Sequence, residues 1–362
     1  MKKRIIISVS SDLSTDQRVL KVAQSCFSNG YDVLLIGRKL KTSQALTLPY
    51  RYKRLKLLFN HSALFYAEIN IRFFFLLLFS SSDILLSNDT DTLPANFLAS
   101  KIRRKKLVFD AHELFPELPE LANRTKAKRI WEKLENWIFP QLTHSYTVCK
   151  SIADYYKNKY DIDMKVVRNV PYADLKTEHK PKINYPNKKI IIYQGALNMG
   201  RGLEWVLDAM PSVENGILVI IGDGDIRREL EEQTRMLKIE DKVLFLGKIA
   251  IDKLYEYTSS ASIGLCLLEE KGLSYYYALP NRIFDYIQAR IPVLATRFPE
   301  ITNIVETYKT GVLIDHYEPH YLAEVINDML TFPFNTDHFE AAAKELCWEN
   351  EEKVLMAVIS EQ

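Results

Sequence analysis

Three short stretches of this chain gather residue types that do chemistry rather than packing. The first reads Leu107-Val-Phe-Asp-Ala-His-Glu-Leu-Phe, an apolar strand pattern that delivers Asp110, His112 and Glu113 to its end. Open α/β sheets place functional groups just past their strand ends, so three polar groups emerging together there point to a site. A histidine satisfied within the core is the competing reading. The second stretch runs from Gln194 to Leu203 as Gln-Gly-Ala-Leu-Asn-Met-Gly-Arg-Gly-Leu. Gly195, Gly200 and Gly202 let backbone approach a ligand, a helix starting at Leu203 offers unpaired N–H groups, and Arg201 adds a fixed cation. That combination suits a diphosphate. The third stretch, Leu279 to Thr296, starts a helix at Pro280-Asn281 and gives it an apolar face through Ile283, Phe284, Ile287 and Ala289. It puts Asp285 near the helix start and Arg282 beside it, ends the helix at Pro292, and opens a buried strand at Val293.

The elements that must position these groups follow from length and pattern. At 362 residues the chain exceeds what one core usually fills, so two domains are expected. The opening Ile5-Ile-Ile-Ser-Val reads as a strand rather than a secretory leader, because the apolar run stops at Ser8 and no cleavage site follows. Asp16 opens a helix that closes at Asn29-Gly30, and Tyr31 to Gly37 is the next strand, which completes a βαβ unit. No Gly-x-Gly-x-x-Gly occupies its first turn, so a dinucleotide dehydrogenase is disfavoured. Strand–helix alternation resumes at Ile190, and the Gly222-Asp-Gly224 turn follows the strand Leu218 to Ile221. Residues 172–188, rich in Lys, Pro, Asn and Tyr without apolar periodicity, read as an interdomain linker.

Composition narrows the partners. The net charge of +2 conceals an asymmetry: residues 1–175 hold 28 Lys+Arg against 17 Asp+Glu, or +11, and the remainder 20 against 29, or −9. A basic first half steers an anionic substrate or settles on an anionic membrane surface, and solvated faces without a partner are the bland alternative. Nothing in the chain calls for nucleic acid. The scattered Cys26, Cys149, Cys266 and Cys347 read as reduced core thiols, which fits a cytoplasmic location. The aromatic-rich stretch from Leu57 to Leu78 is either a lipid-facing surface or a core helix over the sheet, the latter favoured, and its run Phe73 to Phe79 is too short to span a bilayer. The helix Arg124 to Phe139, with Trp131 and Trp137 among lysines, has the same two readings. Asp89-Thr90-Asp91 reads as a turn and helix cap in preference to a Mg²⁺ site.

The stretch Leu279 to Thr296 resembles the nucleotide-binding signature of retaining glycosyltransferases of family 4, in which a proline, a basic residue, an acidic residue and a later Pro-Val follow in this order. Asp16-Gln-Arg-Val resembles the start of that family's acceptor domain. The resemblance implies an α/β, GT-B fold: two doubly wound Rossmann-like domains facing across a cleft. These are an acceptor-binding domain at 1–171, joined by a C-terminal helix at 346–362, and a nucleotide-sugar-binding domain at 189–345. It implies a metal-independent, retaining transfer from a UDP- or GDP-linked sugar to a glycan or lipid-linked acceptor in cell-surface polysaccharide synthesis, with no bound cofactor, in the cytoplasm or peripheral on the inner membrane face.

Carried over residue by residue, Asp285 would hold the ribose hydroxyls, and Arg201, Arg282 and the loop Gly195 to Gly202 the diphosphate. Gly222 and Gly224 would border the base. His112 would hydrogen-bond the transferred sugar, with Asp110 or Glu113 holding its ring, and Asp16, Asp110 and Glu113 would stand on the acceptor side. The family's arginine after the first loop glycine is here Ala196, and its glutamate eight residues before Asp285 is here Tyr277. Glu269 or Glu270 stands near enough in the chain to substitute for that glutamate, or Gly272, Leu273 and Ser274 would instead present backbone N–H groups to the phosphates. Two alternatives share the architecture: a nucleotide-sugar epimerase, weakened by Tyr277, and a noncatalytic nucleotide-binding partner of another transferase.

Overall fold

The triple isoleucine at Ile5 to Ile7 is fully buried, as a central parallel strand covered on both faces requires. In the computed structural model, which describes residues 2–118, 121, 124–173 and 182–361, it forms the middle of β1 (Arg4–Asp12). The chain divides into two compact units, Met1–Asn169 with Glu351–Gln362, and Val170–Asn350.

In the first unit, β1 is followed by α1 (Gln17–Ser28), β2 (Asp32–Arg38), β3 (Arg51–Leu55), α2 (Ser62–Phe79), β4 (Ile84–Asn88), α3 (Leu93–Arg103) and β5 (Lys106–Ala111). Then come α4 (Thr125–Ile138), β6 (Ser145–Thr147), α5 (Lys150–Tyr160) and β7 (Lys165–Val166). The seven strands are parallel in the order β3-β2-β1-β4-β5-β6-β7. β1 has β2 on one side and β4 on the other, so the chain reverses direction there, and ligands of such sheets bind beyond the strand ends at that point.

The second unit repeats the plan with β8 (Lys189–Gln194), α6 (Leu203–Ala209), β9 (Gly216–Ile221), α7 (Arg227–Met236), β10 (Val243–Gly247), α8 (Ile251–Thr258) and β11 (Ile263–Cys266). α9 (Leu273–Tyr276), α10 (Arg282–Gln288), β12 (Val293–Thr296), α11 (Pro299–Tyr308), β13 (Gly311–Ile314), α12 (Pro319–Thr331) and α13 (Thr336–Glu345) follow. Its parallel order is β10-β9-β8-β11-β12-β13, with the reversal at β8. The last helix, α14 (Trp348–Ser360), lies mostly in the first unit, where Glu351 bonds the Arg168 backbone N–H and guanidinium at 2.9 Å each.

The helix–turn–strand at Leu279 to Thr296 forms as its pattern requires: α10 buries Ile283, Phe284 and Ile287, and β12 is buried throughout. Two elements differ from the sequence reading. β3 carries three basic residues and escaped notice, because an edge strand needs no apolar alternation. α2 extends well beyond the run Phe73 to Phe79 to 18 residues, long and apolar enough to cross a bilayer by length and composition. One face of it is core, with Phe65, Ile69, Phe73 and Leu77 packed on Ile6, Ile36 and Leu85, while the opposite face is exposed. The four cysteines are free and buried. Of the expected linker, residues 174–181 lie outside the described residues.

Candidate functional site

In the first unit the ends of β1, β4 and β5 converge at the reversal point. β5 carries Asp110, fully buried, and α1 sends Arg18 to it in a two-pronged ion pair, Nε to Oδ2 at 2.9 Å and Nη2 to Oδ1 at 2.7 Å. The third prong, Nη1, donates to the Val167 carbonyl at 2.9 Å. Burial pushes the Asp110 carboxyl up, but the charges of Arg18 and His112 outweigh it and hold the group at about 2. His112, one residue past β5, stands between two carboxylates: Nε2 lies 2.9 Å from Asp110 Oδ2, and Nδ1 3.0 Å from Asp89 Oδ2. Its backbone N–H donates to Asp89 Oδ1 at 2.8 Å. Burial favours the neutral ring, yet Asp89 and Asp110 raise its pKa well above the ordinary histidine value, which favours the charged form, whose two N–H groups face the two carboxylates.

Asp91, two residues on, accepts from Ser10 Oγ through Oδ2, while its Oδ1 is buried without a hydrogen-bond partner. Burial, then the Asp89 charge, pushes it up to about 7.

One sequence reading is corrected, and two residues expected on the acceptor side, Asp110 and Asp16, find partners within this unit. Asp89 and Asp91 are not a helix cap: Thr92 occupies that place, and Asp89, in the left-handed region at φ 58°, is the clamp of His112. Asp110 is sealed beneath Arg18 and His112, so it orients the imidazole and does not itself face an acceptor. Asp16 caps α1, accepting from Val19 N at 3.1 Å and from Ser11 Oγ at 2.6 Å. Glu113 is half-buried, and its carbonyl accepts from Tyr156 Oη at 3.3 Å. Among the described residues no group of three or more His, Cys, Asp or Glu is disposed to hold a metal ion.

A consequence follows for His112. Changing Asp89 to Asn removes one of its two counter-charges, so its titration, followed by NMR of the ring C–H, is expected to move to lower pH. A raised histidine pKa stabilises the fold below the unfolded value and loses that contribution as pH rises through the folded one, so Asp89→Asn brings this loss to lower pH. An unmoved titration would remove Asp89 from the clamp.

In the second unit the loops after β8 and β11 and the start of α10 come together. Gly195, at φ 143°, follows β8, and a Cβ there would lie 3.5 Å from Arg282 Nη1. Gly202, at φ 68°, begins α6, where a Cβ would press to 2.6 Å on Leu267. Between them Gly200 accepts from Glu269 N at 3.0 Å and packs on Lys271, and Arg201 lies 4.9 Å from the Tyr275 ring centre. Arg282 is buried, 4.6 Å from the Tyr193 ring centre, with Nη1 reaching the Gln194 carbonyl at 3.5 Å. Asp285, in the first turn of α10, accepts from Gln194 Nε2 at 2.8 Å, and Gln194 Oε1 in turn accepts from Thr258 Oγ1 at 2.7 Å. This relay fixes the carboxylate's orientation.

The structure thus brings Gly195, Gly200, Gly202, Arg201, Arg282 and Asp285 into one neighbourhood. It adds Gln194, Tyr193, Lys271 and Tyr275, which the sequence reading did not single out. Lys271, 3.0 Å from Glu269, is a further cation against the glycine loop. Gly222 and Gly224 have a packing reason to be glycine: a Cβ on either would overlap the carbonyl oxygen of Gly195 or Leu197. Gly272, at φ 102°, starts the short α9, in which Ser274 is buried and Leu273 exposed, while Glu270 is exposed.

Residues 188–331, which contain this neighbourhood, match the family described as glycosyl transferases group 1. Over 168 residues the chain is 26% identical to an uncharacterized glycosyltransferase of Methanocaldococcus jannaschii, covering 44% of this chain and 42% of that protein. Over 162 residues it is 28% identical to the alpha-monoglucosyldiacylglycerol synthase of Streptococcus pneumoniae, covering 42% and 34%. The chain therefore spans less than half the length of these curated relatives. Its fold matches the sucrose-phosphate synthase of Thermosynechococcus elongatus with a TM-score of 0.82 over 99% of both chains, at 15% identity. It matches Anabaena HepE in complex with UDP-glucose with a TM-score of 0.75 over 99% and 100%, at 16% identity. The fold is that of GT-B glycosyltransferases.

Proposed function

We propose that this chain, whose residues 188–331 match glycosyl transferases group 1 and whose fold is GT-B, is a glycosyltransferase that moves a sugar from a nucleoside diphosphate sugar to a hydroxyl of a glycan or lipid-linked acceptor, retaining the anomeric configuration. The observation that carries this reading is Asp285, an acid in the first turn of α10, oriented by the Thr258–Gln194 relay beside a glycine loop flanked by Arg201, Lys271 and Arg282. A carboxylate so held accepts from the vicinal hydroxyls of a ribose, and the cations meet a diphosphate.

Departure of the nucleoside diphosphate builds negative charge on the leaving oxygen, so fixed cations and oriented N–H groups lower the barrier without need of a metal. His112 serves a sugar hydroxyl. Since both its ring nitrogens are engaged, the bond to the partly exposed Asp89 is the one such a hydroxyl would share. UDP-glucose bound to the Anabaena protein supports a uridine donor over a guanosine one, and the diacylglycerol in the Streptococcus relative's name supports a lipid-linked acceptor. On this reading the chain works in the cytoplasm on cell-surface glycans.

Thermal-shift binding of UDP, GDP, ADP and their sugar conjugates, with and without Mg²⁺, followed by a hydrolysis assay, tests the reading. Stabilisation by one family of conjugates without metal is expected. Asp285→Ala should weaken nucleoside diphosphate binding about thirtyfold, the worth of a charge-assisted hydrogen bond, and unchanged affinity would rule out its role. A second reading, a noncatalytic nucleotide-binding partner, is favoured by Ala196 and Tyr277 standing where the family usually has arginine and glutamate. Binding without turnover of any conjugate would select it.

A further inference from the structure

We propose that the first unit docks on an anionic lipid bilayer through the outward face of α2, the helix lying in the plane of the interface. The helix turns its inner stripe to the sheet, and a surface helix so placed ordinarily turns polar residues outward. Here the outward residues are Leu64, Ile71, Phe75 and Phe79, exposed by 54, 58, 54 and 81%. With Ala67 and Leu78 they fall within about 120° of the helix circumference at ~100° per residue. The strip continues through Leu58 and Phe59 at the helix's leading end, and the neighbouring α3 adds Leu98 and Ile102, all of them exposed. An apolar strip of this extent marks a contact surface.

Charge identifies what covers it. Lys39, Lys41 and Lys56 line a concavity with Leu57 and Asn60 beside the leading end of the strip. Arg38 and Arg72 hold the same segment through the carbonyls of Asn60 and Lys56. Lys101, Arg103 and Arg104 close α3. Glu68, the one acid on α2, is paired with Arg72 and accepts from the backbone N–H groups of Leu58 and Phe59, so no uncompensated negative charge faces outward. Cations bordering an apolar helix face match lipid phosphates above acyl chains. The helix does not span: it is the crossover between β3 and β4 of one parallel sheet, and leaving would expose Phe65, Ile69, Phe73 and Leu77 together with the sheet face they cover.

Vesicle flotation of the full chain tests this, with phosphatidylcholine alone and with phosphatidylglycerol added. The chain is expected to float with the mixed vesicles, to be released by salt, and to stay behind with phosphatidylcholine alone. Ile71→Ser/Phe75→Ser/Phe79→Ser should cut partitioning about tenfold or more through lost apolar burial. Lys39→Glu/Lys41→Glu/Lys56→Glu should do the same through lost attraction. Both variants should keep the nucleotide thermal shift in solution, which separates this inference from the activity proposed above. No flotation, or flotation undiminished by the serine changes, overturns it. So does a concentration-dependent dimer that the serine changes dissociate, since a second copy would then be the cover.

Discussion

Replacing Arg18 with Met is expected to destabilise the first unit by about 3–5 kcal/mol, because it strips a buried carboxylate of its main counter-charge. Arg18 and Asp110 are 4% and 0% exposed, and the arginine also satisfies the Val167 carbonyl. Urea unfolding at neutral pH measures the loss. The pH dependence gives a second signature. Asp110 in the folded chain sits at about 2, below its ordinary 3.8, so its contribution is present above the ordinary value and lost as pH falls toward 2. Without Arg18 the carboxyl rises, and the acid loss of stability moves to higher pH. Arg18→Met/Asp110→Asn should recover part of the deficit, since it removes the stranded charge. A cost under about 1 kcal/mol for the single change would mean that the pair is not an anchor.

Replacing Arg282 with Met should lower kcat by about 10²–10³-fold, the range observed when one preorganised donor to a developing negative charge is removed. Methionine fills much of the same buried volume over Tyr193, so the melting temperature should change little beside the loss of turnover. Arg282→Lys keeps the cation and should restore most of the rate, because the charge, more than the planar fork, opposes the leaving oxygen. Steady-state kinetics with the donor found by thermal shift reads both. Turnover within about threefold of the parent in Arg282→Met would take Arg282 out of the chemistry and leave it a packing residue.

Much of the second unit's neighbourhood was legible because it is local in the chain. The glycines, Arg201, Arg282 and Asp285 fall within two short stretches whose strand and helix boundaries are set by apolar spacing and by Pro280 and Pro292. Gln194 was not legible: it ends an apolar strand, and only the arrival of α10 and Thr258 gives its amide a task. Lys271 likewise sits in a polar loop that looks like any other until it is seen against Gly200.

In the first unit the stretch Asp16 to Val19 marks Asp16, a helix cap, by its motif, while Arg18 carries the buried ion pair with Asp110. A signal was present: Arg18, Val22 and Cys26 share one helix face, so an arginine was heading into the core and needed a buried acid. The composition of the turn at Asp89 to Asp91 is the same whether its carboxylates cap a helix or one of them, Asp89, clamps a histidine 23 residues away in sequence.

By itself, then, the sequence determined two α/β units, the parallel strands and the helix that presents Asp285, since apolar period and proline placement act over a few residues. The pairing of Arg18 with Asp110, the clamp on His112, the relay behind Asp285 and the exposed face of α2 were decided only by tertiary structure. Each depends on which strand ends and helix faces meet, and that meeting is fixed by the packing of residues distant in the chain.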